Sequence, residues 1–505
     1  MADSRSRVIT LVGLIALLLL ALGLRLAPWG QNRFLEDEAL YGYWGLQIAT
    51  GTDPMLDLEP VDKPPLYPYT LAFAFLVSGT TTGGLQAEAV AKLPSLLASL
   101  AGIALTYGLG SSLYHDRWTG LLAAGLLALS AFDLLFASTA FTDPLLVSLV
   151  LAALLAASCR NLPAAGLLAG LALATKQQAL IFLPLIIAVG VLSRARSPQS
   201  RHASRFARVW HSGWPAFALT LVAVLAAVLW WDSARIQRPG FLEQSLISYG
   251  GLGPARPASL AQRAGEWLRL TGYFWASPWF NLLWAGATVT WLAGWAWGWA
   301  PAWTRFDLLL AGFVLSFLAI HWLLGFQVWD RYLLGIVPLA ALLAARAFTQ
   351  LGRALPRHRW QGAYALALPA ILALLLATPV LAAAHSELPV GGDHGAYDGI
   401  EDLAAYVRAQ APAGSTLYHH WLGYHYRFYL YGAPLRLHWY PDAADLVQDA
   451  TIYRREPRYL AFPSFRDAGP ARQATDSAGI TLLPEYKTRR RDGSVSFRLY
   501  HLEGP

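Results

Sequence analysis

The chain has 505 residues, of which 56% are hydrophobic and only 14% charged, with a formal net charge of +7 and a mean hydropathy of +0.40. A soluble domain carries about 25% charged residues, so this composition excludes an ordinary soluble enzyme. The basic residues are almost all Arg, without the clustered basic face that would bind nucleic acid. The single cysteine, Cys159, rules out an intrachain disulfide, and no Cys/His metal-ligand spacing occurs.

In chain order, Arg5 and Arg7 precede an apolar run from Val8 to Leu24. The run is long for a secretory leader and lacks a small-x-small cleavage site, so it reads as an uncleaved anchor. Next comes the polar stretch Glu36-Asp37-Glu38-Ala39-Leu40-Tyr41, and further on Asp62-Lys63-Pro64-Pro65-Leu66. Ionised groups beside a bilayer are costly unless they have a partner or a task. Asp37 and Glu38 open a helix-like stretch, where carboxylates favour the dipole, so capping and catalysis are both open readings. Lys63 sits before two prolines, which stiffen the chain and remove two donors; an interfacial lysine that snorkels is the alternative.

The segment 64–78 is apolar but short, and reads as a helix lying along the outer face. Membrane spans are predicted near 8–27, 92–113, 118–135, 144–158, 161–175, 177–193, 210–231, 276–299, 307–326, 332–349 and 361–383. With these crossings the short inner loops hold Arg117, Arg160, the cluster Arg194, Arg196, Arg201, Arg205 and Arg208, then Arg305, Arg353, Arg357 and Arg359. A crossing at 64–78 would invert the later loops and turn the Arg-rich ones outward. In the membrane part, only Asp3, Asp116 and Asp307 fall on the inner side, so the polar chemistry is expected outside the cytoplasm.

Further candidates follow. Lys92 precedes Leu93-Pro94. Asp143 precedes Pro144, as at an ordinary helix start. Lys176 separates two apolar runs and could simply mark a tight turn. Arg331 could pair with Asp330. Singly each has such a structural account; together these cations and acids gather on one face of the bilayer, where a phosphorylated lipid head would lie. His321, inside an apolar span, reads as hydrogen-bonded structure, and His419, His420 and His425 as surface or core. The Trp295–Trp299 run reads as an interfacial belt. Residues 1–384 form the expected membrane domain, and 385–505 a small α/β domain on the outer face, with a helix at 399–410 and strands at 416–419, 459–462 and 495–500.

The order and spacing of Asp37-Glu38-Ala39-Leu40-Tyr41, Lys63-Pro64-Pro65-Leu66-Tyr67, Lys92-Leu93-Pro94, Thr142-Asp143-Pro144-Leu145-Leu146, Leu173-Ala174-Thr175-Lys176 and Arg331-Tyr332 with Pro338 carry a resemblance. The chain resembles the bacterial members of the protein O-mannosyltransferase and aminoarabinose transferase family, within the GT-C fold of glycosyltransferases. The resemblance covers roughly residues 30–345. Lys92 departs from it where relatives often have Arg; charge is kept, but a bidentate grip is lost.

The resemblance implies an α-helical polytopic membrane protein with about eleven spans, juxtamembrane helices and an outer α/β domain. It implies a multi-pass inner-membrane location, a polyprenyl-phosphate sugar donor presented from the outer leaflet, and a lipid, glycan or protein acceptor. The expected reaction is inverting transfer. Asp37 would take or orient the acceptor proton as the nucleophile attacks the sugar C1, with Glu38 and Asp143 as further catalytic carboxylates that position the acceptor or support the cations. Lys63, Lys176, Arg331 and Lys92 would hold the donor phosphate, and Tyr41, Asp62, Tyr67 and Tyr332 would line the substrate pocket. No cofactor is fixed, and a divalent metal is left open because relatives differ. Two rivals remain: a flippase of a lipid-linked saccharide, which would spread charges through the membrane depth, and a scaffold, which leaves Asp37 and Asp143 unexplained.

Overall fold

A computed structural model describes residues 2–194, 213–249, 253–300, 303–356 and 358–504. The Arg-rich loop beyond Arg194, with Arg196, Arg201, Arg205 and Arg208, and likewise Arg357, lie outside those residues. The chain divides into two compact units: Met1–Pro28, Met55–Tyr67 and Pro94–Gly391 form the first, and Trp29–Pro54, Pro68–Leu93 and Gly392–Pro505 the second.

The helices before the C-terminal domain are α1 (Ala2–Leu26), α2 (Glu36–Thr50), α3 (Leu66–Ser78), α4 (Leu85–Tyr114), α5 (Arg117–Ala128), α6 (Ala131–Ala137), α7 (Asp143–Ser158), α8 (Leu162–Thr175), α9 (Leu183–Arg194), α10 (Trp214–Ala234), α11 (Phe241–Tyr249), α12 (Leu260–Thr271), α13 (Pro278–Ala296), α14 (Arg305–Leu323), α15 (Val337–Ala354) and α16 (His358–Ala384). Among the described residues, seven helical segments are long and apolar enough to cross a membrane: Val8–Leu26, Leu85–Tyr114, Gln177–Arg194, Trp214–Ala234, Arg305–Leu323, Asp330–Ala354 and Arg359–Ala384. The other four predicted spans fall on α13, on the shorter apolar helices α7 and α8, and on the pair α5–α6, which is bent by 62°. With 16 and 14 residues, α7 and α8 are about 24 and 21 Å long at 1.5 Å per residue, short of a hydrocarbon core of about 30 Å. α3, at 13 residues, is shorter still, as the reading of 64–78 expected. The chain is thus a multi-pass membrane protein.

Local chemistry sets many of the helix starts. Asn161 Oδ1 accepts from the Ala164 amide at the start of α8, and Pro163 follows in its first turn, where a missing N–H costs nothing. At α14, Thr304 Oγ1 accepts from the Asp307 amide at 3.2 Å and Asp307 Oδ2 accepts from the Thr304 amide at 2.7 Å, a reciprocal capping box.

Packing within the first unit uses small residues for close helix approach. Gly166 and Gly170 are one turn apart on α8, and a Cβ on each would lie 2.2 Å from Phe217 O and 2.8 Å from Val224 Cβ of α10. Van der Waals packing of this kind drives helix association in lipid, where the hydrophobic effect between helices is absent. Gly166→Val is therefore expected to destabilise the protein by about 1–3 kcal/mol through overpacking, read as an earlier thermal unfolding transition in detergent; an unchanged transition would contradict the α8–α10 contact. Buried charges are paired: Arg25 Nη2 lies 2.5 Å from Asp133 Oδ2, which also accepts from Ser99 Oγ at 2.6 Å.

The C-terminal domain contains β1 (Thr416–His419), β2 (Arg436–Trp439), β3 (Arg458–Pro463), β4 (Thr481–Arg489) and β5 (Val495–Glu503), with α17 (Ile400–Gln410), α18 (Gly423–Tyr429), α19 (Ala443–Ile452) and α20 (Gly469–Ser477). One sheet runs in the order β2-β1-β3-β5-β4. β1 pairs in parallel with both β2 and β3, and β5 pairs antiparallel with β3 and β4. Tyr418, Leu446, Leu460, Ile480 and Leu502 lie in its core. Strands β1, β3 and β5 and helix α17 coincide with predicted patches. β2 and β4 were not predicted: β2 is half-buried with an exposed end, and β4 is mostly exposed, so neither carries a strong apolar pattern.

Candidate active site

In the first unit, the fold gathers Asp62, Lys63, Asp143, Lys176, Arg331 and Tyr332. Lys176 ends α8 with extended backbone, φ −159° and ψ 137°, before a short 3-10 turn at Gln177–Phe182. That break turns its side chain onto Asp143, the first residue of α7, and Lys176 Nζ donates to Asp143 Oδ1 at 2.6 Å. Both residues are buried. Lys63 Nζ donates to Asp62 Oδ2 at 2.8 Å and is also buried. The ring of Tyr332 lies 4.9 Å from Lys176 Nζ.

Arg331 stacks its guanidinium on Phe141 at 4.7 Å and on Trp329 at 5.1 Å. Asp330 accepts from two backbone amides, those of Arg331 at 2.8 Å and Gly391 at 2.9 Å. Its carboxylate therefore serves the backbone around it. Lys63 and Lys176 each pair with a carboxylate, Asp62 and Asp143, and the Arg331 guanidinium stands near enough to repel the Lys176 ammonium. Burial pulls the Lys176 ammonium down to about 8, with repulsion from Arg331 and Lys63 adding to it and Asp143 opposing it. Tyr67, at the start of α3, is fully buried.

Several residues that sequence reasoning passed over hold this site. Gln177 Nε2 donates to Asp62 O at 2.9 Å, and Gln178 Nε2 donates to Tyr332 O at 3.1 Å. Both sit directly after Lys176, which was the available signal. Arg235 donates to Leu56 O at 2.7 Å and Glu59 O at 3.2 Å, fixing the chain just before Asp62. His321 places Nδ1 2.8 Å from Phe317 O and Nε2 3.2 Å from Gln178 Nε2. It is hydrogen-bonded, as expected. Among the described residues, no group of three or more His, Cys, Asp or Glu side chains is close enough to hold a metal ion.

Asp37, Glu38, Tyr41 and Lys92 belong to the second unit. Asp37 is half-buried in the first turn of α2, between exposed Glu36 and buried Glu38. Glu38 Oε2 accepts from the Leu35 amide at 2.9 Å, so it caps the helix. Tyr41 is buried, with its ring 5.8 Å from Trp44. Lys92 is 1% exposed, and its ammonium donates to Glu88 Oε1 at 2.6 Å, Asn32 O at 2.8 Å and Trp29 O at 3.3 Å. Glu88 also receives Arg33 Nη1 at 3.1 Å and the Tyr429 hydroxyl. His425 lies with Nε2 2.7 Å from Phe34 O, and burial holds its imidazole near pKa 4, hence neutral. The chain that leads into α2 is thus pinned by Lys92, Arg33 and His425.

No protein-family model and no curated protein matches the chain. Solved structures do. ArnT from Cupriavidus metallidurans bound to undecaprenyl phosphate is similar at a TM-score of 0.60 and 16% identity, over 96% of this chain and 97% of that one. The oligosaccharyltransferase of Archaeoglobus fulgidus is similar at a TM-score of 0.54 and 12% identity, over 97% of this chain and 74% of that one. The arabinofuranosyltransferase AftD from Mycobacteria gives a TM-score of 0.51 and 14% identity, over 97% of this chain but only 40% of the larger protein. All three are GT-C glycosyltransferases. The chain therefore has the GT-C fold, matched to ArnT over nearly the full length of both proteins.

Proposed function

We propose that this protein is an inverting glycosyltransferase that moves a sugar from a polyprenyl phosphate to an acceptor at the extracytoplasmic face. The observation that carries the reading is the cluster of buried Lys63 and Lys176 with half-buried Arg331, the lysines paired with Asp62 and Asp143, in a fold similar to that of ArnT bound to undecaprenyl phosphate. As the bond from sugar C1 to the phosphate breaks, these cations neutralise the charge growing on the leaving group. Asp37 takes the acceptor proton as the new bond forms on the opposite face of the sugar. Asp143 supports the cations, Glu38 holds the helix start, and Lys92 fixes the chain before α2.

Two experiments test it. Purified protein incubated with polyprenyl-phosphate sugars and candidate acceptors is expected to form a glycosidic product; translocation of the intact lipid-linked saccharide with no product would favour a flippase. Second, the Lys176 ammonium, at about 8 rather than 10.5, loses its proton as pH rises through that value. Donor affinity should therefore decline between pH 7 and 9.5 as about one cation is lost. Lys176→Arg, which stays charged, should flatten the profile. An unchanged slope in that variant would remove Lys176 from phosphate binding.

A further inference from the structure

The C-terminal sheet carries a second set of chemistry-bearing residues. Its parallel strands run β2-β1-β3, so the chain leaves β1 for β2 on one side and reaches β3 on the other. The carboxyl ends of β1 and β3 flank a topological switch point, where open α/β sheets bind their ligands. At that edge stand His419 at the end of β1 with His420 and Trp421 after it, Trp439 at the end of β2, and Phe465 and Arg466 after β3. Trp439 is 53% exposed and Phe465 46%. Trp439 is nonetheless held: its Nε1 donates to His420 O at 3.1 Å, and its ring stacks with the His420 imidazole at 6.1 Å and 18°. His420 in turn places Nδ1 2.7 Å from Tyr440 O. The Arg466 guanidinium lies 3.9 Å from the Trp421 ring centre. His419 is 2% exposed, and its Nδ1 has no hydrogen-bond partner among the described residues; a Cβ on Gly423 would lie 3.3 Å from its Cε1.

We propose that this strand-end shelf is a saccharide-binding site. A pyranose presents a C–H face that suits the electron-rich face of an indole, and Trp439 offers a fixed, exposed ring. Sugar hydroxyls need donors and acceptors near that ring; the His420 imidazole stands beside it, and Arg466, over Trp421, lies at the same strand-end edge. The indole N–H of an interfacial anchor serves lipid headgroups; that of Trp439 is spent on His420 O, which argues against a bilayer anchor. α18, which follows the shelf directly, packs on α2, the helix of Asp37. A glycan held on the shelf would therefore sit on the same compact unit as the proposed base, which points to a glycan as the acceptor. That link rests on the transferase reading; saccharide binding itself does not.

The test is a microarray of neutral and acidic bacterial oligosaccharides probed with the full-length protein in phosphatidylcholine nanodiscs. The wild type is expected to bind a defined subset of glycans. Trp439→Ala should bind them roughly tenfold more weakly, and Trp439→Phe should recover most of the binding. Thermal unfolding and turnover with short acceptors should stay unchanged in Trp439→Ala, which separates this outcome from a failure of the transferase reading. Absence of glycan binding by the wild type, or equal binding by Trp439→Ala, overturns the proposal. So does a bromolipid-quenched fluorescence component that vanishes in Trp439→Phe, because it would place the indole in the bilayer.

Discussion

Asp37→Asn is expected to lower turnover by about 10²–10⁴-fold, the usual contribution of a general base, while leaving the fold and donor binding intact. The substitution is nearly isosteric, and Asp37 is half-buried on the first turn of α2. The fold should lose only the helix-dipole term, about 0.3–1 kcal/mol. Glu38→Gln makes the contrasting case. Its side chain can still accept from the Leu35 amide, so both stability and turnover should change little. Rates measured with a polyprenyl-phosphate sugar, alongside thermal unfolding, separate the two. Wild-type turnover in Asp37→Asn would remove Asp37 from the chemistry, and a Glu38→Gln rate as low as that of Asp37→Asn would make Glu38 catalytic rather than a cap.

Asp143→Leu should be among the most destabilising single changes in the protein. Asp143 and Lys176 are buried together at 2.6 Å, and removing one partner strands a buried charge, at a cost of about 3–5 kcal/mol. Lys176→Met should cost a comparable amount by leaving Asp143 without that partner. The double variant Asp143→Leu with Lys176→Met replaces the pair by apolar groups, a change that is often neutral or stabilising, and should regain much of the loss while still binding the donor more weakly than the wild type. Unfolding in detergent and lipid-phosphate binding read the two effects separately. Additive destabilisation in the double variant would mean that the pair does not act as a unit.

How legible the site was depended on the type of signal. The acids and lysines were visible because an ionised group in a chain with 14% charged residues stands out. Their partners were not. Lys176 was equally a tight turn, and Arg331 equally a partner for Asp330. Geometry put Lys176 on Asp143 and gave Asp330 to the amides of Arg331 and Gly391. Lys92 looked like a phosphate holder by position and sign, and its ammonium is instead directed at Glu88 and two backbone carbonyls. Charge is written in the sequence, but the direction of a long, flexible side chain is set by all the groups around it, for Lys92 both Glu88 one turn back and the remote carbonyls of Asn32 and Trp29.

The sequence by itself determined the membrane class, most of the spans and the α/β character of the C-terminal region, because these follow from hydrophobic runs and local periodicity. It also singled out Asp37, Lys63, Asp143, Lys176 and Arg331 as candidate site residues. Only the tertiary structure decided which charges are paired, that Glu38 caps its helix, and that the segments carrying Asp37 and Lys92 join the C-terminal domain in one compact unit. It likewise decided that three strand ends bring His419, Trp439 and Arg466 to one edge. The Asp143–Lys176 pair, the shared unit and the strand-end edge join residues distant in sequence, fixed by how helices and strands pack, and no local pattern encodes them; the Glu38 cap is local, but which of two open roles its carboxylate takes depends on its geometry.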